Sequence, residues 1–249
     1  MKPKKPAIVT IGNFDGVHLG HQMLIRQVVD RARALRLCSF AITFDPHPER
    51  VLFPERRLQY LSTAEERMRI LQDLGVDDVW ICPFTTELAR LEPEDFIRLV
   101  TERQPIAELW VGADFALGRG RKGTIAVLTE IGAALGWGVH MVPPYTLEGQ
   151  AVSSTAIRTL LAAGAIRGVA DLLGRNYCVD GELEGDELMV DPQRALPKAG
   201  IPYDCELRQD GRGAEVSVTV LTAPGCIQLE APTPPHHDGP AVLEFVRRT

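Results

Sequence analysis

Several features that would mark a specialised class of protein are missing from this chain. Its five cysteines, Cys38, Cys82, Cys178, Cys205 and Cys226, are odd in number and widely spaced, with no Cys-x-x-Cys pair. That spacing excludes a disulfide framework or a cysteine zinc site, and reduced thiols are expected. Excess positive charge is also missing: 27 Lys and Arg face 33 Asp and Glu, for a formal net charge of -6. The only dense basic stretch, Lys2-Pro3-Lys4-Lys5, is short, so a nucleic-acid partner is not expected. No segment approaches the ~20 apolar residues of a membrane span, and the first residues lack the apolar stretch of a secretory signal. The expected compartment is the cytoplasm, with no membrane partner. No internal repeat is visible. What remains is 249 residues, 45 % hydrophobic and 24 % charged, enough for one large domain or a medium one with a small companion.

The first part alternates strand and helix patterns. Residues 7–11 form a short apolar run with β-branched members, and residues 19–35 repeat apolar positions at helical spacing. Residues 39–44, 79–82, 109–112 and 139–142 read as further strands, with helical stretches between them. Ser62 with Glu65 reads as a capping box for a helix running to Leu74, stopped by Gly75. Such alternation predicts an α/β fold, a Rossmann-like parallel sheet with helices on both faces. Ligands in such sheets bind beyond the carboxyl ends of the strands. Near Gly174 the pattern changes to short strands at 177–183, 187–190, 203–208, 215–221, 226–229 and 242–246, separated by turns such as Asp-Gly and Pro-Gly. The expected domains are therefore residues 1–174 and a small all-β module, barrel-like, at residues 175–249. Residues 232–240, with His236 and His237, read as a solvated loop.

Four loops that follow strands or open helices carry chemistry. The first is Gly12-Asn13-Phe14-Asp15-Gly16-Val17-His18-Leu19-Gly20-His21. It leads into a helix N-terminus, where backbone N–H groups and the helix dipole attract anions. Gly12 and Gly16 allow the chain to turn, and Gly20 leaves room for a nucleotide against the helix. His18 and His21 stand three apart, so their imidazoles share one face and can donate hydrogen bonds to phosphate. A surface pair or half of a metal site is the alternative for such histidines. The second is Ser153-Ser154-Thr155-Ala156-Ile157-Arg158, where a hydroxyl caps a helix and Arg158 can fork two donors onto a phosphate. By itself it reads equally as a plain cap. The third is Asp45-Pro46-His47-Pro48, held extended by its prolines, which by itself reads as a plain strand exit. The fourth, residues 111–123 with Asp114, Phe115 and Arg121, is glycine-rich and basic, suited to an anion or to simple flexibility.

Taken together, these segments resemble the bacterial FAD synthetase family, the bifunctional riboflavin kinase/FMN adenylyltransferases. The similarity covers residues 7 to about 177, including the Leu172-Leu173-Gly174-Arg175-Asn176-Tyr177 stretch that joins the two modules in that family. The resemblance implies transfer of AMP from ATP to FMN, with Mg2+ arriving on ATP and FAD as product. It places His18, His21, Ser154 and Arg158 in the catalytic machinery. Gly12, Asn13, Phe14, Asp15, Gly20, Asp114, Arg121, Ser153 and Thr155 would hold the nucleotide. Asp45, Pro46, His47, Pro48 and Phe115 would lie nearer the flavin. Leu117 stands where the family usually has Phe, and Ala156 where it often has a second Arg. The family's Gly-Arg-x-x-Gly-Phe-Pro-Thr-Ala-Asn kinase stretch is absent after Asp180-Gly181, whereas residues 196–203 still resemble the later Leu-Pro-x-x-Gly-Val-Tyr segment. No riboflavin kinase activity is therefore expected.

Overall fold

The run at 7–11 forms β1 (Ala7–Ile11), buried along its whole length, which is why it carries no polar alternation. A computed structural model describes residues 5–56, 58–223, 225–230 and 236–246. After β1 come α1 (Leu19–Leu35), β2 (Cys38–Asp45), α2 (Pro48–Leu52), α3 (Ala64–Asp73), β3 (Asp78–Pro83), α4 (Thr86–Ala89) and α5 (Pro93–Arg103). They are followed by β4 (Ile106–Gly112), β5 (Ala116–Leu117), β6 (Gly123–Thr124), α6 (Ile125–Leu135), β7 (Gly138–Val142) and β8 (Thr146–Leu147). The strands β3-β2-β1-β4-β7 make a five-stranded sheet, each neighbouring pair parallel. Strand order reverses at β1, so the loop leaving β1 lies at the switch point of the sheet.

Alternation along β1 divides the packing. Ala7, Val9 and Ile11 face a layer that includes Phe96, Ile97 and Val100 of α5 and Leu128 of α6. Ile8 faces the other way, onto Leu24, Ile25 and Val28 of α1 and Leu71 of α3. Both faces are thus covered by helices, as the alternating pattern predicts.

Contacts divide the chain into two compact units, one of residues 1–58 and 63–149, the other of Gln59–Ser62 and residues 150–249. The second unit holds β9 (Gln150–Ala151), α7 (Ser154–Ala163), α8 (Ile166–Leu173) and six strands: β10 (Tyr177–Glu184), β11 (Glu187–Met189), β12 (Pro202–Gln209), β13 (Arg212–Val220), β14 (Cys226–Leu229) and β15 (Gly239–Phe245). These six close into an antiparallel barrel, in the order β10-β11-β14-β13-β12-β15. The β12–β13 turn uses Asp210 and Gly211, both at positive φ, the geometry that matches strand twist in a two-residue hairpin. Ile157, Leu161, Val169 and Leu173 of α7 and α8 share one core with Val179, Leu188, Leu207 and Val218 of the barrel. The pattern change near Gly174 marks the end of α8, while the division between units falls earlier because α7 and α8 pack on the barrel. Among the described residues, no helix is long and apolar enough to cross a membrane.

Two local expectations are corrected. The capping box is one residue later than expected: Thr63 accepts from the Glu66 amide, and the Glu66 carboxylate accepts from the Thr63 amide. Ser62 and Glu65 have the right spacing, but Ser62 is drawn into the second unit with Gln59–Ser62. The loop expected at 232–240 lies partly outside the described residues. Its last two members, Gly239 and Pro240, open β15 by pairing with Leu183 and Glu182. Nor are its histidines merely solvated, since His237 Nε2 lies 2.8 Å from the Asp210 carboxylate and His236 Nε2 lies 2.9 Å from the Gly185 carbonyl.

Candidate functional site

Loop 12–18 is a turn held in an unusual backbone. Gly12 donates to the Ile42 carbonyl at 3.0 Å, and Thr43 Oγ1 donates to the Asn13 carbonyl at 2.9 Å, so β2 fixes where the loop starts. Phe14 (φ 49°) and Val17 (φ 39°) both sit in the left-handed region. For a β-branched residue that is a strained state, which the surroundings must over-determine. Two buried features do so. The Phe14 ring, 1 % exposed, folds back over Gly12, where a Cβ would come within 2.9 Å of ring carbons. Gln22 Nε2, one turn into α1, donates to the Val17 carbonyl at 3.0 Å.

This turn delivers His18 as the N-cap of α1. His18 Nδ1 accepts from the His21 amide at 3.4 Å, so the neutral ring carries its proton on Nε2. The His18 and His21 rings stack with centroids 3.7 Å apart, and Phe14 meets His21 edge-on at 5.3 Å. The His21 pKa is pushed well below its ordinary value, first by burial and then by the neighbouring His18. Its Nδ1 is buried without a hydrogen-bond partner. Gly20 is the residue that makes room for this: a Cβ there would press within 3.3 Å of the His18 ring. The pair is thus a compact stack of imidazoles at a helix N-terminus, a place suited to an anion.

Because β1, β2 and β4 are parallel, the loops that leave them emerge from the same edge of the sheet. Loop 45–48 leaves β2 with Asp45 and Pro46 exposed and His47 buried. His47 caps α2 by accepting from the Glu49 amide at 3.2 Å, and Pro48 opens that helix instead of prolonging an extended loop. The loop after β4 is folded on itself: Phe115 donates to the Gly112 carbonyl, and the exposed Arg121 donates to the Asp114 carbonyl at 2.8 Å. Asp114 is exposed, and Phe115 leans on the core layer under the sheet. Leu117 is 8 % exposed and packs in that layer against Gly123, so it is a core residue here.

One residue that the sequence reading missed joins these loops. Arg67 of α3 is 2 % exposed, donates to the Phe44 carbonyl at 2.7 Å, and is attracted by Asp15 and Asp45. Burial lowers its pKa, and those two carboxylates act to restore it. In sequence Arg67 looks like one more charge among Glu65, Glu66 and Arg69. The signal was its spacing, i+3 from buried Ala64 and i−4 from buried Leu71, which puts it on the inner face of the helix.

The Ser153–Arg158 segment belongs to the second unit. Ser153 caps α7, its Oγ accepting from the Ala156 amide at 3.2 Å, which settles which of the three hydroxyl residues is the cap. Ser154 and Thr155 occupy the first turn, with Thr155 exposed. Arg158, one turn on, donates its Nε–H to the Gln59 carbonyl at 2.6 Å. This second helix N-terminus, with a guanidinium beside it, is again suited to an anion.

The family model described as FAD synthetase matches residues 1–156. The chain is 32 % identical over 188 residues to a bifunctional riboflavin kinase/FMN adenylyltransferase of Escherichia coli, covering 75 % of this chain and 60 % of that protein. A protein of the same description from Pseudomonas fluorescens is 34 % identical over 183 residues, covering 73 % and 58 %. An FAD synthetase of Listeria monocytogenes is 30 % identical over 200 residues, covering 80 % of this chain and 81 % of that one. The chain thus spans some 60 % of the length of its E. coli relative. A solved Streptococcus pneumoniae structure described as a macrolide-efflux protein superposes with a TM-score of 0.84 at 22 % identity, covering 99 % of this chain and 86 % of that one. At that identity it is evidence of fold only.

Proposed function

Because this chain belongs to the FAD synthetase family, we propose that it transfers AMP from ATP to FMN, giving FAD and pyrophosphate in the cytoplasm. The observation that carries this reading is the stacked His18–His21 pair at the α1 N-terminus, on the loop at the switch point of the sheet. An FMN phosphate oxygen attacks the α-phosphorus of ATP as the bond to the β-phosphate oxygen breaks in line with it. Such a step needs positioned donors more than a covalent intermediate. His18, with its proton on Nε2, and neutral His21 donate to phosphate oxygens that gain charge in the transition state. Gly12, Asn13, Phe14, Asp15, Gly20, Asp114 and Arg121 line the nucleotide. Ser153, Ser154, Thr155 and Arg158 hold the β- and γ-phosphates. Asp45, Pro46, His47, Pro48 and Phe115 lie on the flavin side.

Magnesium comes with ATP and offsets phosphate charge. Among the described residues, no group of three or more His, Cys, Asp and Glu is gathered to hold a metal. A hydrated ion would be carried by the phosphates and keep most of its waters.

The barrel is read as inactive toward riboflavin. Where the family carries its kinase phosphate loop, this chain turns directly from β10 into β11 through Gly185 and Asp186. The deciding assay is chromatography of products from ATP, Mg2+ and either FMN or riboflavin. FAD from FMN and nothing from riboflavin is the expected result. FMN formed from riboflavin would overturn the inactive barrel, and no product from FMN would overturn the choice of acceptor.

A further inference from the structure

The segment Gln59–Ser62 lies in sequence within the first unit's stretch but packs with the second. It runs beside residues 191–195 of the barrel. Tyr60 pairs with Arg194 in a parallel bridge, the Tyr60 amide donates to the Gln193 carbonyl at 3.0 Å, and the Ala195 amide donates to the Tyr60 carbonyl at 2.8 Å. Leu61, 1 % exposed, is buried in the barrel core. The Tyr60 hydroxyl is bonded to Asp191, and its pKa is raised first by burial and then by that bond.

Arg194 anchors the strap. Its side chain is 2 % exposed and lies 5.6 Å over the Tyr60 ring and 5.5 Å from that of Tyr177. It donates to the Tyr177 hydroxyl at 3.1 Å and to the Cys178 carbonyl at 2.6 Å, and lies 3.7 Å from Asp180. A buried guanidinium with this many partners is a fixed post, since releasing any of them would leave a buried charged donor unsatisfied.

The peptide unit joining Gln59 to Tyr60 connects this post to Arg158. Its N–H is bonded to the barrel through Gln193, and its C=O accepts the Arg158 Nε–H. Guanidinium is planar, so fixing Nε fixes the direction of the whole fork. We infer that the barrel, read above as having lost its own kinase reaction, positions Arg158 for phosphate binding through the Gln59–Ser62 strap, with Tyr60 and Arg194 as positioning residues. This rests on the reading of Arg158 as a phosphate ligand.

The test is a double-mutant cycle of Tyr60→Ala and Arg158→Ala in the full chain. It reads the KM of ATP and FMN, the KM of pyrophosphate in the reverse reaction with FAD, and the calorimetric affinity for ATP. Loss of orientation at one ligand should raise the KM of ATP and pyrophosphate about tenfold, leave that of FMN unchanged, and add nothing once Arg158 is already Ala. Tyr60→Phe, which keeps the ring and the main-chain bonds, should stay within about twofold of the parent. If Tyr60→Ala is insoluble, Tyr60→Leu fills the space and must give the same shift. Unchanged KM values in Tyr60→Ala and Tyr60→Leu, or effects that multiply with those of Arg158→Ala, overturn the positioning role. An Arg158→Ala protein that binds ATP and pyrophosphate like the parent overturns instead the phosphate role beneath it. Calorimetry reads the strap even if FMN is not the acceptor.

Discussion

His21 shows how much a single side chain can encode. Burial and the stacked His18 hold its pKa well below the ordinary value of an unfolded histidine. Above about pH 6.5 the ring is neutral in both folded and unfolded chains, and its contribution to stability is intact. As pH falls through that value, the unfolded chain takes the proton first and stability is lost down to the folded pKa. Wild type should therefore lose stability between pH 7 and 5 more steeply than His21→Asn, as read by denaturant midpoints at each pH. An equal slope would show that the imidazole is not held neutral by the fold. In kinetics, His21→Ala should lower kcat by about 10²–10³ with a smaller change in ATP affinity, the signature of a group that acts in the transition state.

At the scale of elements, helix N-termini are the recurring device. α1 is capped by His18 and α7 by Ser153, so each helix start proposed to face phosphate is also a structural cap. The two roles can be separated at α7. Ser153→Ala removes the acceptor of the Ala156 amide and should cost about 1 kcal/mol of stability, measurable by urea denaturation. A stability unchanged to within a few tenths of a kcal/mol would mean that the amide finds another partner. Ser62–Glu65 and Thr63–Glu66 both satisfy the capping-box spacing, and local sequence has no means of choosing between them. The choice was made by Leu61, buried in the barrel core, and by the main-chain bonds of Tyr60 to Gln193 and Ala195, which carry Ser62 into the second unit. Arg67 was missed for a related reason: its environment comes from Asp15 and Asp45, on loops 52 and 22 residues away in the chain.

Across the whole chain, the two units are not simply two consecutive pieces. α7 and α8 share their apolar residues with the barrel, and Leu61 enters the same core from the earlier part of the sequence. A chain ended at Gly174 would expose Ile157, Leu161, Val169, Leu173 and Leu61 together. Burial of each such side chain contributes about 1.5–3 kcal/mol, so the five together are comparable to the whole stability of an ordinary domain, about 5–15 kcal/mol. The shortened protein should be insoluble or bind a hydrophobic dye strongly, whereas a monomeric, folded product with normal thermal unfolding would refute this.

Sequence alone determined the order of the five sheet strands and of the six strands after Gly174, since hydrophobic period is a local property that survives without coordinates. It placed β1 and α1 at their observed bounds and foresaw six short strands after Gly174. The family motifs also pointed to the loops at 12–21, 45–48 and 153–158, because glycines, prolines and cap residues carry their backbone preferences with them. Only tertiary structure decided the strand order of the barrel, the burial of Arg67, the core role of Leu117 and the capture of Gln59–Ser62 by the second unit. Each depends on residues far apart in the chain meeting. A hydrogen bond such as that between Arg158 and Gln59, 99 positions apart, leaves no periodic trace in the sequence.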